Sequence, residues 1–199
     1  SPGQRAIMIL NSGAEYICGP KSSLVFDIVN TSTDQLFDFG SGSACNVIRR
    51  LILTSRSGDE VERVERCNLL CQSRLAWEHN ESWAKTVGSA MGVEKSVIPN
   101  GSLRCVIPLD QISGLFAHDK LLPSHLASGL RFEIELESSA LAVTYPSTAT
   151  PTSPGFRVEN MQLNLDSYQL SDAVQRSLNE TAATSGLEIP FVSFHNTQT

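Results

Sequence analysis

The side chains best suited to metal binding in this sequence are histidines and cysteines. The histidines are His79, His118, His125 and His195. No two of them lie two positions apart, so the H-x-H pair that many metal centres use is missing. The nearest pair, His118 and His125, has Asp119 between its members. One interpretation is that these three side chains bind a metal ion. We prefer the interpretation that the two histidines lie in a loop and face solvent.

The five cysteines are spread at wide and unequal spacings, namely Cys18, Cys45, Cys67, Cys71 and Cys105. Cys67 and Cys71 are four residues apart, which on a helix places both sulfurs on one face. A zinc site would need two further ligands, and no second cysteine or histidine pair supplies them. We therefore predict buried thiols of a reducing compartment, with no metal and no cofactor.

Motifs for catalysis are missing as well. The sequence has no G-x-S-x-G nucleophile elbow, no phosphate-binding P-loop and no G-x-G-x-x-G fingerprint. The row Glu133, Glu135 and Glu137 could supply the paired carboxylates of a glycosidase, but a solvated strand face explains the same alternation. We predict that the protein is not an enzyme and has no catalytic residues. A metal-dependent enzyme of the cupin type remains the weaker alternative.

Composition bounds the class of protein. The 199 residues are 41% hydrophobic and 18% charged, with 15 Lys+Arg against 21 Asp+Glu and a net charge of -6. This apolar content can form a compact core, which excludes wholesale disorder. No apolar run reaches the roughly 18 residues of a transmembrane helix. The acidic balance makes a poor binder of nucleic-acid phosphates, so no direct nucleic-acid contact is expected. The chain begins Ser-Pro-Gly, without the pattern of a signal peptide.

Short segments with β-branched and aromatic residues predict about eight strands separated by turn signals. They lie at 6–10, 22–30, 47–55, 60–65, 102–109, 129–137, 140–145 and 156–165. The turn Ser57-Gly58-Asp59 predicts a hairpin. Strict alternation in 129–137 predicts a strand with one face on a core. In 156–165 the apolar residues change from one set of alternate positions to the other near Asn160, which predicts a bulge.

Two stretches have helical periodicity instead. The segment 65–87 fits a helix interrupted by the polar run 79–82, inserted between strands. A second helix is predicted to start after Ser171 as N-cap and to end at Gly186, with Leu170, Val174, Leu178 and Ala182 along one stripe. We predict an all-β protein: a single eight-stranded antiparallel jelly-roll sandwich with one or two short helical insertions. The domain spans 1–199, with the barrel at about 1–170 and a helix and extended segment at 171–199.

Four short motifs are more specific than the strand pattern of a generic β-sandwich. They are SLRCVIPL at 102–109, ISGLF at 112–116, DKLLP at 119–123 and GLRFEIEL at 129–136. In this order, and followed by the strand at 156–165, the helix and GLEIPF at 186–191, they resemble viral jelly-roll major capsid proteins. The resemblance is to the double-jelly-roll lineage of eukaryotic DNA viruses, including polinton-like viruses and virophages. It covers roughly residues 40–195 and matches about one of the two barrels.

The resemblance implies a structural subunit of an icosahedral shell, found in the virion and assembled inside the host cell. Its partners would be copies of itself and other capsid proteins, in a trimeric or pseudo-hexameric capsomer. We expect interface residues in the helical insertion 67–85 and the loop 115–126, because buried aromatic side chains anchor interfaces. The candidates are Trp77, Trp83, Leu115, Phe116, Lys120 and Leu122. Core filling is the alternative role for the two tryptophans.

Four N-x-S/T sequons, at Asn30, Asn80, Asn100 and Asn179, support a different function. Together with the predicted sandwich they fit an extracellular β-sandwich module that binds carbohydrate or a receptor. Chance matches are common in a chain rich in Ser and Thr. This binding module is therefore the alternative to the capsid subunit.

Overall fold

The computed structural model describes residues 3–10, 15–123, 127–146, 155–186 and 188–194. In these ranges the chain forms nine strands. They are β1 (Arg5–Ile9), β2 (Tyr16–Asn30), β3 (Phe37–Asp38), β4 (Ile48–Thr54), β5 (Glu60–Glu65), β6 (Ser96–Val97), β7 (Ser102–Pro108), β8 (Arg131–Leu136) and β9 (Phe156–Tyr168). The two-residue strands β3 and β6 were not expected from the sequence, because so short a segment has no readable alternation.

The strands form two main sheets in which every pairing is antiparallel. One sheet has four strands in the order β1-β8-β4-β5, and the other has three in the order β7-β2-β9. The small pair β3-β6 lies apart from both. Strands that are distant in sequence are neighbours in each sheet, as in Greek-key connections. The predicted all-β jelly-roll sandwich is confirmed.

Alternating side chains from both sheets build one hydrophobic core. On β8, Phe132 and Ile134 are fully buried, while Arg131 on the other face is exposed. Phe26 on β2 belongs to the same buried cluster. The β4-β5 hairpin turns at Gly58, whose φ of 97° is accessible to glycine without strain, so the predicted hairpin is confirmed.

The helices lie outside the sheets. They are α1 (Cys67–Trp77), α2 (Glu81–Trp83), which continues as a π-helical turn over Ala84–Gly88, α3 (Ser139–Ala142) and α4 (Asp172–Ser185). The predicted helical insertion and its interruption are confirmed, but the break lies at 78–80 and not at 79–82, because α2 already begins at Glu81. The strand predicted at 140–145 is wrong, since α3 occupies its first half and only Thr144 bridges to Asp38. No helix among the described residues is long and apolar enough to cross a membrane.

The parity shift in β9 is a bulge, as predicted. Against β2, Val25 pairs with Gln162 but Asp27 pairs with Glu159, so the β9 side has one extra residue. Asn160 lies in this bulge with φ at 51°, in the left-handed region that asparagine tolerates better than most residues. Its Nδ2 donates to Asp27 Oδ2 at 2.7 Å, which ties the bulge to β2.

The C-terminal helix lies loosely on the sandwich. Ser171 precedes α4 with extended backbone, as predicted, but makes no side-chain capping hydrogen bond. No α4 residue is fully buried, and Gly186 follows with φ at 77°. The predicted extended segment 188–194 forms no strand. The predicted loose tail at 195–199 lies outside the described residues.

Candidate interaction surface

Helix α1 has one face on the sandwich and the other in solvent. Cys67, Asn68 and Cys71 are buried against β4 and the 3-10 turn Ala44–Val47. On the other side, Leu69 and Trp77 lie two helical turns apart and are 52% and 88% exposed. A tryptophan exposed this fully on a well-anchored helix is typical of an interaction surface.

The second tryptophan of the insertion is held by a stacked histidine. The rings of His79 and Trp83 lie parallel, with centroids 3.6 Å apart, and His79 Nε2 is 3.0 Å from Gln111 Oε1. Asn80 caps α2, since its Oδ1 accepts a hydrogen bond from the Trp83 backbone N–H at 2.9 Å. These contacts fix the orientation of Trp83, which is half-buried.

A buried carboxylate organises the turn at 113–116. Glu62 on β5 accepts hydrogen bonds from Ser113 Oγ at 2.6 Å and from the backbone N–H groups of Gly114 and Leu115 at 2.8 and 3.2 Å. A Cβ on Gly114 would lie 1.8 Å from the carbonyl oxygen of Val192, so only glycine allows the C-terminal segment to pass this closely. The turn therefore joins β5 to the C-terminal segment.

The outer face of the four-stranded sheet carries a network of ion pairs. Arg50 bridges Glu135 and Glu65, and Arg49 reaches Glu135 at 3.2 Å. Arg5 on β1 contacts Glu133 at 3.0 Å. The hydrogen bond from Arg50 lowers the pKa of Glu135 below its usual value. Glu133 and Glu135 are thus balanced by arginines, which fits a solvated strand face and not an acid/base pair.

Glu137, the third member of the acidic row, does not share this face. It is 4% exposed and accepts hydrogen bonds from Asn68 Nδ2 at 3.3 Å and from the Ser138 backbone N–H at 2.8 Å. Arg66, which precedes α1 with a φ of 54°, lies 3.8 Å from the same carboxylate. Glu137 therefore anchors the start of α1 to the end of β8, outside the alternation that predicted its exposure.

All five cysteines are free thiols, and all except the half-buried Cys18 are buried. A hydrogen bond with Cys71, together with burial, raises the pKa of Cys45 well above the usual value. The Cys45 contact lowers the pKa of Cys71, but a hydrogen bond with Cys67 and burial outweigh it and raise that pKa as well. Burial raises the pKa of Cys105 to about 12. Cys45, Cys71 and Cys105 are therefore neutral thiols and poor nucleophiles, in line with the predicted buried thiols.

The two histidines in the described ranges, His79 and His118, take part in no metal-binding cluster. His118 is half-buried and its Nδ1 accepts a hydrogen bond from the Lys120 backbone N–H at 2.9 Å. His125 and His195 lie outside the described residues. Over the described ranges, no group of three or more His, Cys, Asp or Glu side chains is placed to hold a metal ion.

An apolar cleft of about 490 Å³ separates α4 from the sandwich. The predicted stripe of α4 lines one wall, and Lys120, Leu121 and Ile189 contribute to the other. Pro123 and Glu188 also line the cleft, and each adjoins in sequence a stretch outside the described ranges. Its shape alone therefore assigns no ligand.

No family model matches the sequence, and no curated protein matches it either. Solved structures do match in fold. The PBCV-1 virus capsid, a quasi-atomic model, is similar over 89% of this chain, with 15% sequence identity and a TM-score of 0.52. The crystal structure of the STIV MCP matches over 90% of this chain, with 14% identity and a TM-score of 0.47. The fold is that of a viral capsid jelly roll. The chain spans 40% and 47% of the lengths of those two chains.

Within this fold, the six candidate interface residues divide into two groups. Trp77, Trp83 and Lys120 keep accessible side chains. Leu115, Phe116 and Leu122 are buried in the core, where Phe116 packs edge-on against Phe132 with centroids 5.3 Å apart. Leu122 pairs with Ile17 through reciprocal backbone hydrogen bonds of 2.8 Å. These three side chains stabilise the sandwich itself and offer no surface to a partner in this conformation.

The sequence did not predict the exposure of Leu69 or the burial of Glu62. Leu69 is 52% exposed and lies two helical turns before Trp77, whereas the sequence predicted only that it belongs to the helical segment 65–87. Glu62 is buried beneath the turn, although it lies in the charged run EVERVE. The signal for Glu62 was its parity with Val64, which faces the core from the same strand.

The sequons are unequal in access. Asn30 is 1% exposed and its Nδ2 donates to the carbonyls of Gln35 and Val97, so this nitrogen is not available for a glycan. Asn80, Asn100 and Asn179 are exposed. All five cysteines in the chain are free thiols, whereas secreted domains commonly contain disulfides. The free thiols therefore count against the extracellular binding module.

Proposed function

We propose that this chain is a structural subunit of an icosahedral virus capsid, located in the virion and assembled inside the host cell. The observation that carries the proposal is the fold likeness to the PBCV-1 virus capsid over 89% of this chain. Fold alone does not define function, so surface features must support it. The proposed partners are copies of this chain and other capsid proteins.

The sandwich suits a shell subunit because its interior is filled by side chains. Its buried cluster includes four phenylalanines with exposed fractions of 0%, Phe26, Phe37, Phe116 and Phe132. A rigid core of this kind keeps the outer surfaces in fixed positions, which lateral contacts between many copies require. We propose that such contacts assemble trimeric or pseudo-hexameric capsomers.

The proposed contact surface is the exposed side of the helical insertion. Leu69, Trp77 and Trp83 supply its apolar part, and their backbone is anchored through the buried face of α1 and the Asn80 cap. Anchored aromatic side chains lose little conformational entropy on binding, so they make effective interface anchors. Lys120 lies on the separate 113–122 segment and would contribute a polar contact.

The test is assembly of the purified chain, alone and together with the other capsid proteins of its virus. Light scattering after size exclusion and negative-stain microscopy should show oligomers or particles that increase with protein concentration. Trp77→Ala should weaken this assembly, whereas Ile98→Ala, which truncates another exposed apolar residue outside the insertion, should not. A chain that stays monomeric at every concentration and never enters particles would contradict the proposal.

A further inference from the structure

Residues 188–194 cross the surface of the sandwich and belong to no helix or strand. Along most of this segment the side chains alternate between exposed and half-buried, as in an extended chain. The half-buried Ile189 and Phe191 pack against the hydrophobic core, whereas Val192 is 74% exposed. The segment is therefore an extended peptide with one apolar face on the body of the molecule.

The surface beneath this segment is closely fitted to it. A Cβ on Gly114 would lie 1.8 Å from the Val192 carbonyl oxygen, so the backbone of the segment rests directly on the turn at 113–116. The Arg74 guanidinium lies 5.8 Å from the centre of the Phe194 ring, within the range of a cation–π contact. We use the term docking groove for the surface that lies under the segment and is lined by Leu70, Arg74, Gly114 and Ala117.

Packing and cation–π contacts hold the segment in the docking groove without hydrogen bonds. Within the described ranges, no hydrogen bond joins residues 188–194 to any other residue, and Ser193 Oγ is buried without a partner. The turn beneath is held independently, because Glu62 accepts its hydrogen bonds. The segment can therefore leave without breaking a hydrogen bond, while Glu62 keeps the floor of the groove in place.

The helix that connects this segment to the sandwich contributes little packing. No residue of α4 is fully buried, and residues 169–171 between β9 and α4 form neither helix nor strand. With 14 residues, α4 is about 21 Å long. A change of backbone conformation at 169–171 would carry residues 188–194 away from their own groove by a distance of that order, at the cost of few buried contacts.

The docking groove borders the surface that we propose for contacts between copies of this chain. Leu69, which is 52% exposed on α1, lines the same depression as Leu70 and Phe194. A second copy that contacts the helical insertion would therefore lie next to the groove. This continuity favours a second copy as the source of another segment for the groove.

We propose that the docking groove accepts residues 188–194 of a second copy of this chain, in exchange for the chain's own segment. The contacts of Phe191, Val192 and Phe194 are the same in both arrangements, so exchange costs mainly the entropy of association. A high local concentration of copies lowers that cost. The inference rests on the proposed self-assembly, because it identifies one of the contacts between neighbouring copies.

The test mixes two variants of the 199-residue chain, neither of which can dock its own segment. Gly114→Ala blocks the groove but leaves the segment intact, and Phe191→Asp spoils the segment but leaves the groove intact. Both variants also carry Trp77→Ala, which removes the exposed tryptophan of the insertion. Native mass spectrometry of the equimolar mixture should show a one-to-one pair that neither variant forms alone, and the pair should increase with protein concentration.

Two matched changes to the groove variant identify the segment as the contact. Adding Val192→Asp should leave the pair intact, because this side chain points to solvent. Adding Phe191→Asp should abolish the pair, since no intact segment then remains in the mixture. If Gly114→Ala does not fold, Ala117→Trp replaces it, because residue 117 is exposed and a tryptophan there fills the groove from its rim.

A mixture of folded variants that contains only monomers overturns the exchange. So does a pair that persists when both chains carry Phe191→Asp, because the contact then does not involve the segment. The unaltered chain, measured alongside, separates this result from the proposed function. If it assembles while the variants stay monomeric, the exchange fails and the capsid proposal stands. If the variants pair but the unaltered chain forms no assembly, the groove is a docking site and the capsid proposal fails.

Discussion

The Glu62 carboxylate accepts a hydrogen bond from Ser113 Oγ at 2.6 Å, across 51 residues of sequence. The same carboxylate accepts hydrogen bonds from the backbone N–H groups of Gly114 and Leu115. One side chain on an edge strand therefore provides the hydrogen-bond acceptors for a buried turn. Because Leu115 and Phe116 follow directly, Glu62 also fixes where these two core side chains enter the sandwich.

Glu62→Gln should lower the free energy of unfolding by about 1–3 kcal/mol. The glutamine side chain has an NH2 group in place of one carboxylate oxygen, and this group cannot accept a hydrogen bond. At least one of the buried N–H groups that donate to the carboxylate therefore loses its acceptor. Urea denaturation followed by tryptophan fluorescence measures the change. Glu60→Gln on the same strand is the control, because its ion pair with Arg63 is exposed and should be worth under about 1 kcal/mol. Equal losses in both variants would contradict the role assigned to Glu62.

Because Phe116 is buried and Trp77 is exposed, truncating these two aromatic side chains should have very different effects on the free energy of unfolding. Phe116→Ala should cost about 3–5 kcal/mol of stability, since it opens a cavity beside Phe132. Trp77→Ala should change stability by less than about 0.5 kcal/mol. Thermal and urea unfolding of the two variants check this. A Trp77→Ala variant as unstable as Phe116→Ala would show that Trp77 packs into a core.

The sequence predicted best where one strand or helix carried a regular pattern. The alternation of 129–137 placed Phe132 and Ile134 in the core correctly. It failed at Glu137, because β8 ends at Leu136 and the chain then turns the next side chain inward toward Asn68. For Phe116 and Leu122, local pattern could not separate core from surface, since their burial comes from contacts with Phe132 and Ile17, which are distant in sequence.

The bulge at Asn160 predicts a rank order of substitutions. Asn160→Ala should cost about 1–2 kcal/mol, because alanine loses the hydrogen bond to Asp27 and must hold a φ of 51°. Asn160→Gly loses the same bond but has no penalty at positive φ, so it should be more stable than the alanine variant by about 1 kcal/mol. Chemical denaturation of the three proteins gives the order. A glycine variant less stable than the alanine variant would show that the bulge does not hold this backbone conformation.

The buried thiols predict a loss of stability in alkali. In the unfolded chain the Cys105 thiol ionises near its ordinary pKa of about 9, whereas burial raises its pKa to about 12 in the folded protein. Below pH 9 both states keep the proton and the thiol gives no pH dependence. Above pH 9 the unfolded state binds fewer protons, so the free energy of unfolding falls with rising pH by up to about 1.4 kcal/mol per pH unit, until about pH 12.

Urea denaturation at pH 8, 9 and 10 in the presence of a phosphine reductant measures this slope. Cys105→Ala is the matched control: it keeps Cys45 and Cys71, so the difference between the two slopes isolates Cys105. The alanine variant should be less stable at pH 8, because it leaves a small cavity, and should lose less stability between pH 9 and 10. Parallel slopes for the two proteins would mean that Cys105 ionises as readily in the folded protein as in the unfolded one, and therefore that the thiol is open to water.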